Sequence, residues 1–259
     1  MTVPYYRFRL SHITLGCVMA LAAPPALAFS PAGQDIDYQT GDEEFEGYYV
    51  AANGDSKGSV LIVHDWDGLD DYERQRADML AKQGFDAFAV DLYGTGNRPQ
   101  SLENKQAATQ RLYEDRERMR SLTQAGMEAA LSEGMNSSSV ILGYCFGGTV
   151  ALEMARANSL DNIAGYASFH GGLDTPEGQS YDADIAPIFI AHGGSDQIVS
   201  LEDVATVSAT LEEANVNYEV GIYSGAPHAF SVFGSDRYEE QADQRSWATF
   251  SAWLESRTD

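Results

Sequence analysis

The segment Gly143-Tyr144-Cys145-Phe146-Gly147-Gly148 follows the short apolar run 139–142 and precedes the helix-forming stretch 149–155. A thiol on so sharp a strand-to-helix turn is placed to attack an acyl carbon. The turn strains the backbone of its apex residue, so small residues must stand two positions to either side, and Gly143 and Gly147 do. At a helix N-terminus, free amides and the positive end of the dipole favour thiolate over thiol and can hold a developing oxyanion. The sequence therefore predicts an exposed, acidified Cys145. The competing reading is a small core cysteine in a glycine-rich turn.

A nucleophile of this kind needs a base to take its proton and a carboxylate to orient the base. Asp196, in His192-Gly193-Gly194-Ser195-Asp196, follows the apolar run 186–191, and His228, in Gly225-Ala226-Pro227-His228, follows the run 218–223. The order nucleophile, acid, histidine is that of the strand–elbow–helix hydrolases. The other histidines are His12, His64, His170 and His192. His192 is the nearest rival base, but it precedes Asp196 and breaks that order. An oxyanion hole needs two donors: one is the amide of the residue after the nucleophile, Phe146, and the other comes from the loop after an earlier strand. His64-Asp65-Trp66-Asp67-Gly68 follows the run 59–63, which makes the Trp66 amide the candidate. The alternative is that His64 and Asp65 merely open a helix.

The elements that must position these groups alternate along the chain. Residues 44–52 read as an antiparallel edge strand. Strands follow at 59–64, 86–91, 139–143, 163–169, 186–191 and 218–223, and helices at 70–83, within 101–132 (long enough for two), after the elbow, at 201–214 and at 238–256. This pattern implies an α/β fold, a mostly parallel twisted sheet with helices on both faces, whose functional groups gather at the carboxyl ends of the strands. The acyl pocket is expected from the loops 92–110 and 171–185.

IVHDWDGLDDY, VDLYG, GYCFGG, GGSDQIV and GAPHAF, in this order between about residues 45 and 256, resemble the dienelactone hydrolase family. The resemblance implies the α/β-hydrolase fold and a Cys145, His228, Asp196 triad that cleaves carboxylic esters or lactones through an acyl-enzyme. It also implies that Asp65 stands where the family has an acidic residue, usually glutamate, that holds the resting thiol and helps to activate it. Members that cleave dienelactone bind the substrate carboxylate with arginines, one of them four residues beyond the histidine. That position is Val232 here.

Composition bounds the rest. The formal charge is -23, from 16 Lys plus Arg against 39 Asp plus Glu. Nucleic acid and anionic membranes are poor partners for such a surface. No metal cluster, dinucleotide fingerprint or phosphate loop appears, so no cofactor is implied. Arg7 and Arg9, the apolar run 13–23 and Ala26-Leu27-Ala28 read as a secretory signal, predicting residues 1–28 cleaved and a periplasmic or extracellular protein with residues 29–259 as one domain. Lipidation at Cys17 is the weaker reading, because Thr14 stands where an aliphatic residue belongs. Cleavage leaves Cys145 as the lone thiol, without a resolving cysteine for a redox switch. A non-catalytic protein binding a ligand or partner through the same pocket is the alternative function, and its mark would be a broken triad.

Overall fold

The computed structural model describes Met1 and residues 31–258; apart from Met1, the expected signal segment, Cys17 included, lies outside the described residues. Strands β1 (Gln34–Thr40), β2 (Glu43–Val50), β3 (Ser59–Val63), β4 (Asp86–Val90), β5 (Ser139–Tyr144), β6 (Ile163–Phe169), β7 (Ile188–Gly193) and β8 (Tyr218–Tyr223) form one sheet, ordered β1-β2-β4-β3-β5-β6-β7-β8. From β4 to β8 the neighbours are parallel, whereas β1 pairs with β2, and β2 with β4, antiparallel. Each of β3, β4 and β5 is buried along its full length, which explains their continuous apolar runs. Val60 and Ile62 face one side of the sheet, and Leu61 and Val63 the other.

Helices α1 (Asp71–Gln83) and α6 (Glu240–Thr258) cover the first side, through Tyr72, Leu80, Phe250 and Trp253. Helices α2 (Leu102–Glu114), α3 (Arg116–Ser132), α4 (Phe146–Ala157) and α5 (Leu201–Glu213) cover the second, through Leu112, Leu122, Val150 and Val207. Each such side chain, fully buried, contributes roughly 1.5–3 kcal/mol. The stretch 101–132 does hold two helices, divided at Asp115, whose carboxylate caps α3 by accepting from the Arg118 amide at 2.9 Å. Helix α1 opens on a capping box: Asp70 accepts from the Tyr72 amide at 2.6 Å, and Glu73 accepts from the Asp70 amide at 3.0 Å. Gly84, at φ 94°, ends it.

The sheet differs from expectation at one side. The strand read at 44–52 is antiparallel as expected, but β1 lies outside it and forms the edge. In Gln34–Thr40 only Ile36 and Tyr38 are apolar, and both are just partly buried, so the stretch carries the signal of an acidic linker.

Candidate active site

Five of the parallel strands end on the same rim of the sheet, and the segments that follow them carry Asp65 (β3), Cys145 (β5), His170 (β6), Asp196 (β7) and His228 (β8). Cys145 has φ 50° and ψ -111°, and its amide donates to the Phe169 carbonyl at 3.0 Å. The glycines around it are steric necessities. A Cβ at Gly143 would lie 1.9 Å from the Gly147 carbonyl oxygen, and one at Gly147 would lie 2.1 Å from that of Val63.

The His228 ring joins the other two side chains: Nε2 lies 3.2 Å from Cys145 Sγ and Nδ1 2.8 Å from Asp196 Oδ2. The second oxygen of Asp196 accepts from the amides of Ile198 at 2.8 Å and Val199 at 3.0 Å. Burial raises the Asp196 carboxyl, but the hydrogen bonds from His228 and Val199 outweigh it and hold the group below its ordinary value. An ionised Asp196 only accepts, so Nδ1 carries the ring proton and Nε2 presents its lone pair to sulfur. His192, the rival base, is buried in β7 and makes no hydrogen bond to Cys145.

The state of the thiol corrects the sequence argument. Cys145 is only partly exposed, and burial pushes its thiol up, with Asp65, Asp67 and Asp196 adding to the shift. The Phe146 amide pulls the other way and is outweighed. At rest Cys145 is a thiol rather than a thiolate. Helix position alone could not reveal this, because the opposing carboxylates come from other strand ends.

Asp65 shares the cavity with Cys145, but its hydrogen bonds go elsewhere: its Oδ1 accepts from the Asp67 amide at 3.0 Å, and its carboxyl bonds the Asp67 side chain. Burial, then Asp67 and Glu73, raise Asp65 well above the carboxylate range, while Lys105 holds Asp67 at 2.9 Å. Asp65 is thus the protonated member of an acid pair. His64 and Asp65 do not open a helix, since α1 begins at Asp71.

A cavity of about 240 Å³ opens over the sulfur. Trp66, Tyr113, Phe146, Ile198, Val199 and Ala229 give it an apolar wall, and Arg237 is the one cation in that wall. Of the two loops expected to form it, only Gly172 takes part; the remainder comes from the turn after β3, the elbow, α2 and the segments after β7 and β8. Val232 instead packs against the core beneath α1 and α6. Among the described residues no group of three or more His, Cys, Asp or Glu is arranged to hold a metal ion.

Behind the histidine lies a buried network that sequence reasoning missed. His170 Nε2 lies 2.8 Å from Ser231 Oγ, and its ring centre is 5.4 Å from that of His228. Arg76, fully buried, donates to the Ser231 carbonyl at 2.8 Å and ion-pairs with Asp243 of α6. The rings of Phe233 and Trp247, 4.2 and 4.7 Å from its guanidinium carbon, close over it.

Residues 45–258 match the Dienelactone hydrolase family. The chain belongs to that family. A Yersinia pestis relative named carboxymethylenebutenolidase is 25% identical over 206 residues, covering 75% of this chain and 76% of its own. A Bradyrhizobium relative, named as a 2-oxo-3-(5-oxofuran-2-ylidene)propanoate lactonase, is 27% identical over 198 residues, covering 73% of this chain and 79% of its own. Among solved structures, a dienelactone hydrolase-like promiscuous phosphotriesterase from metagenomic libraries superposes with a TM-score of 0.78 at 26% identity, covering 87% of this chain and 98% of its own. As a dienelactone hydrolase family member with this fold, the protein is a carboxylic ester hydrolase acting on small-molecule esters or lactones.

Proposed function

We propose that this ester or lactone hydrolase works through a cysteine acyl-enzyme, with Cys145 as nucleophile, His228 as base and Asp196 as the group that fixes the histidine tautomer. The observation that supports it is the unbroken hydrogen-bonded line from Asp196 through His228 to the sulfur. Because the thiol is protonated at rest, attack and deprotonation are coupled: the Sγ proton passes to Nε2 as sulfur bonds the acyl carbon. The carbonyl oxygen takes up the negative charge facing the amides of Phe146 and Trp66. The C–O bond then breaks, and His228 returns its proton to the departing alkoxide. A water gives its proton to His228 and its oxygen to the acyl carbon, and the carboxylic acid leaves as sulfur recovers the proton. A small apolar cavity suits a short acyl group or a small lactone ring.

The test is turnover of p-nitrophenyl acetate and γ-butyrolactone by the wild type, by iodoacetamide-treated enzyme and by Cys145→Ala. Nucleophile and base act as a unit, so the treated enzyme and the variant are each expected to lose about 10³-fold or more. Retention of a tenth of the activity in either would exclude Cys145 as the nucleophile.

A further inference from the structure

His64 is the first residue beyond β3, fully buried, and takes no part in the steps above. Its ring lies between two backbone groups of opposite kind. Nδ1 is 2.6 Å from the Asp65 carbonyl oxygen, and the Leu92 amide nitrogen is 3.2 Å from Nε2. A carbonyl can only accept and an amide N–H can only donate, so the two contacts assign the tautomer: Nδ1 carries the proton, Nε2 the lone pair, and the ring is neutral.

The consequence lies one peptide further on. The turn from Asp65 to Asp67 has three amides. The Asp65 amide donates to Glu73 at 3.3 Å, and that of Asp67 donates to Asp65 Oδ1 at 3.0 Å. The Trp66 amide has no hydrogen-bond partner among the described residues. The carbonyls on either side of it are both tied: Asp65 to the His64 ring, and Trp66 to the Tyr93 hydroxyl at 3.3 Å. In a trans peptide the C=O and N–H point to opposite sides. By holding the Asp65 carbonyl inward, His64 therefore turns the Trp66 N–H away from the protein interior, on the residue that lines the Cys145 cavity. The same ring lies 6.0 Å from that of Phe146, whose amide is the other candidate donor.

We propose that His64 is a positioning residue which, through one tautomer-locked hydrogen bond, orients the Trp66 amide as an oxyanion donor. The proposal rests on the acyl-enzyme reading above. It predicts a role in stabilising the tetrahedral intermediate and none in activating the thiol, and these can be measured apart. Alkylation of Cys145 by iodoacetamide is a displacement at carbon that forms no oxyanion, whereas ester turnover and capture of a trifluoromethyl ketone as its thiohemiketal both do.

The decisive pair is His64→Asn and His64→Leu, nearly equal in shape but different in their donor. Asn places an N–H close to where Nδ1 stands, and Leu does not. For His64→Leu, kcat on p-nitrophenyl acetate is expected to fall about 10²- to 10³-fold, the effect of one lost oxyanion donor, with KM changed by less than about threefold. Affinity for 1,1,1-trifluoro-2-butanone should fall by a similar factor, and the alkylation rate should stay within about twofold of wild type. His64→Asn is expected to recover kcat to within about tenfold of wild type. If His64→Leu fails to fold, His64→Gln serves, since its amide reaches the Leu92 side and leaves the Asp65 carbonyl without a donor; it should show the same loss. Equal kcat in the Asn and donor-less variants, or an alkylation rate falling in step with kcat, overturns the proposal while leaving the acyl-enzyme intact. A wild type that turns over no ester or lactone overturns both.

Discussion

Asp196→Asn changes one atom and should disable the enzyme without disturbing the fold. In the wild type one carboxylate oxygen accepts from the amides of Ile198 and Val199 at 2.8 and 3.0 Å, and the other faces His228 Nδ1 at 2.8 Å. An asparagine must keep its single oxygen on the side of the two amides, which turns its NH₂ toward His228. Two donors cannot face each other, so the ring moves its proton to Nε2 and accepts at Nδ1. Nε2–H then points at a sulfur 3.2 Å away that is itself protonated, and the thiol proton has no acceptor. In serine enzymes the equivalent tautomer error costs about 10⁴-fold in kcat, which is about 5.5 kcal/mol of barrier. The loss should be larger here than in an enzyme with a preformed thiolate, because burial and the carboxylates beside it have already raised the thiol. The assay is kcat on p-nitrophenyl acetate beside a thermal melt, since volume and both backbone contacts are retained and Tm should move by no more than a few degrees. Turnover within about tenfold of wild type, at unchanged Tm, would refute the tautomer argument.

Two further outcomes concern the scaffold. Asp243→Ala leaves the fully buried Arg76 without its counter-charge, which should cost about 3–5 kcal/mol and, at roughly 2–4 °C per kcal/mol for a domain of this size, lower Tm by about 6–20 °C in calorimetry; a change under about 2 °C would contradict it. Glu73 and Asp65 are buried carboxyls raised well above their ordinary values, Glu73 by burial and then Asp70. Their contribution is therefore complete below the unfolded range near about 4 and is lost as pH rises through the raised folded values. Glu73→Gln should flatten the decline of Tm as pH rises above that unfolded range, and parallel curves for variant and wild type would count against this assignment.

What could be read from the sequence depended on how local each signal was. The elbow was legible because its demands fall on near neighbours: Gly143 and Gly147 stand against backbone atoms at 1.9 and 2.1 Å from any added Cβ. Asp196 and His228 could be placed because each immediately follows an apolar run, so strand ends alone bring them to one rim. The fold class followed from the same alternation. Strand β1 was not legible, since two half-buried apolar residues among acids carry little signal. The cavity wall was out of reach for another reason: Tyr113, Ile198 and Arg237 lie on three segments that meet only when the sheet is assembled. The protonation of Cys145 is hidden from the sequence on the same ground, because burial in the assembled fold, with carboxyl groups from other strand ends adding to it, outweighs the helix that the cysteine begins.

The tie from Arg76 to the Ser231 carbonyl and to Asp243 makes helix α6 a remote support of the site. Helix α6 supplies no atom to the cavity, yet its carboxylate anchors the guanidinium that grips the segment bearing His228 three residues upstream. A change in α6 that frees Asp243 would therefore slacken the grip on the segment that carries the imidazole, without altering any surface that a substrate meets.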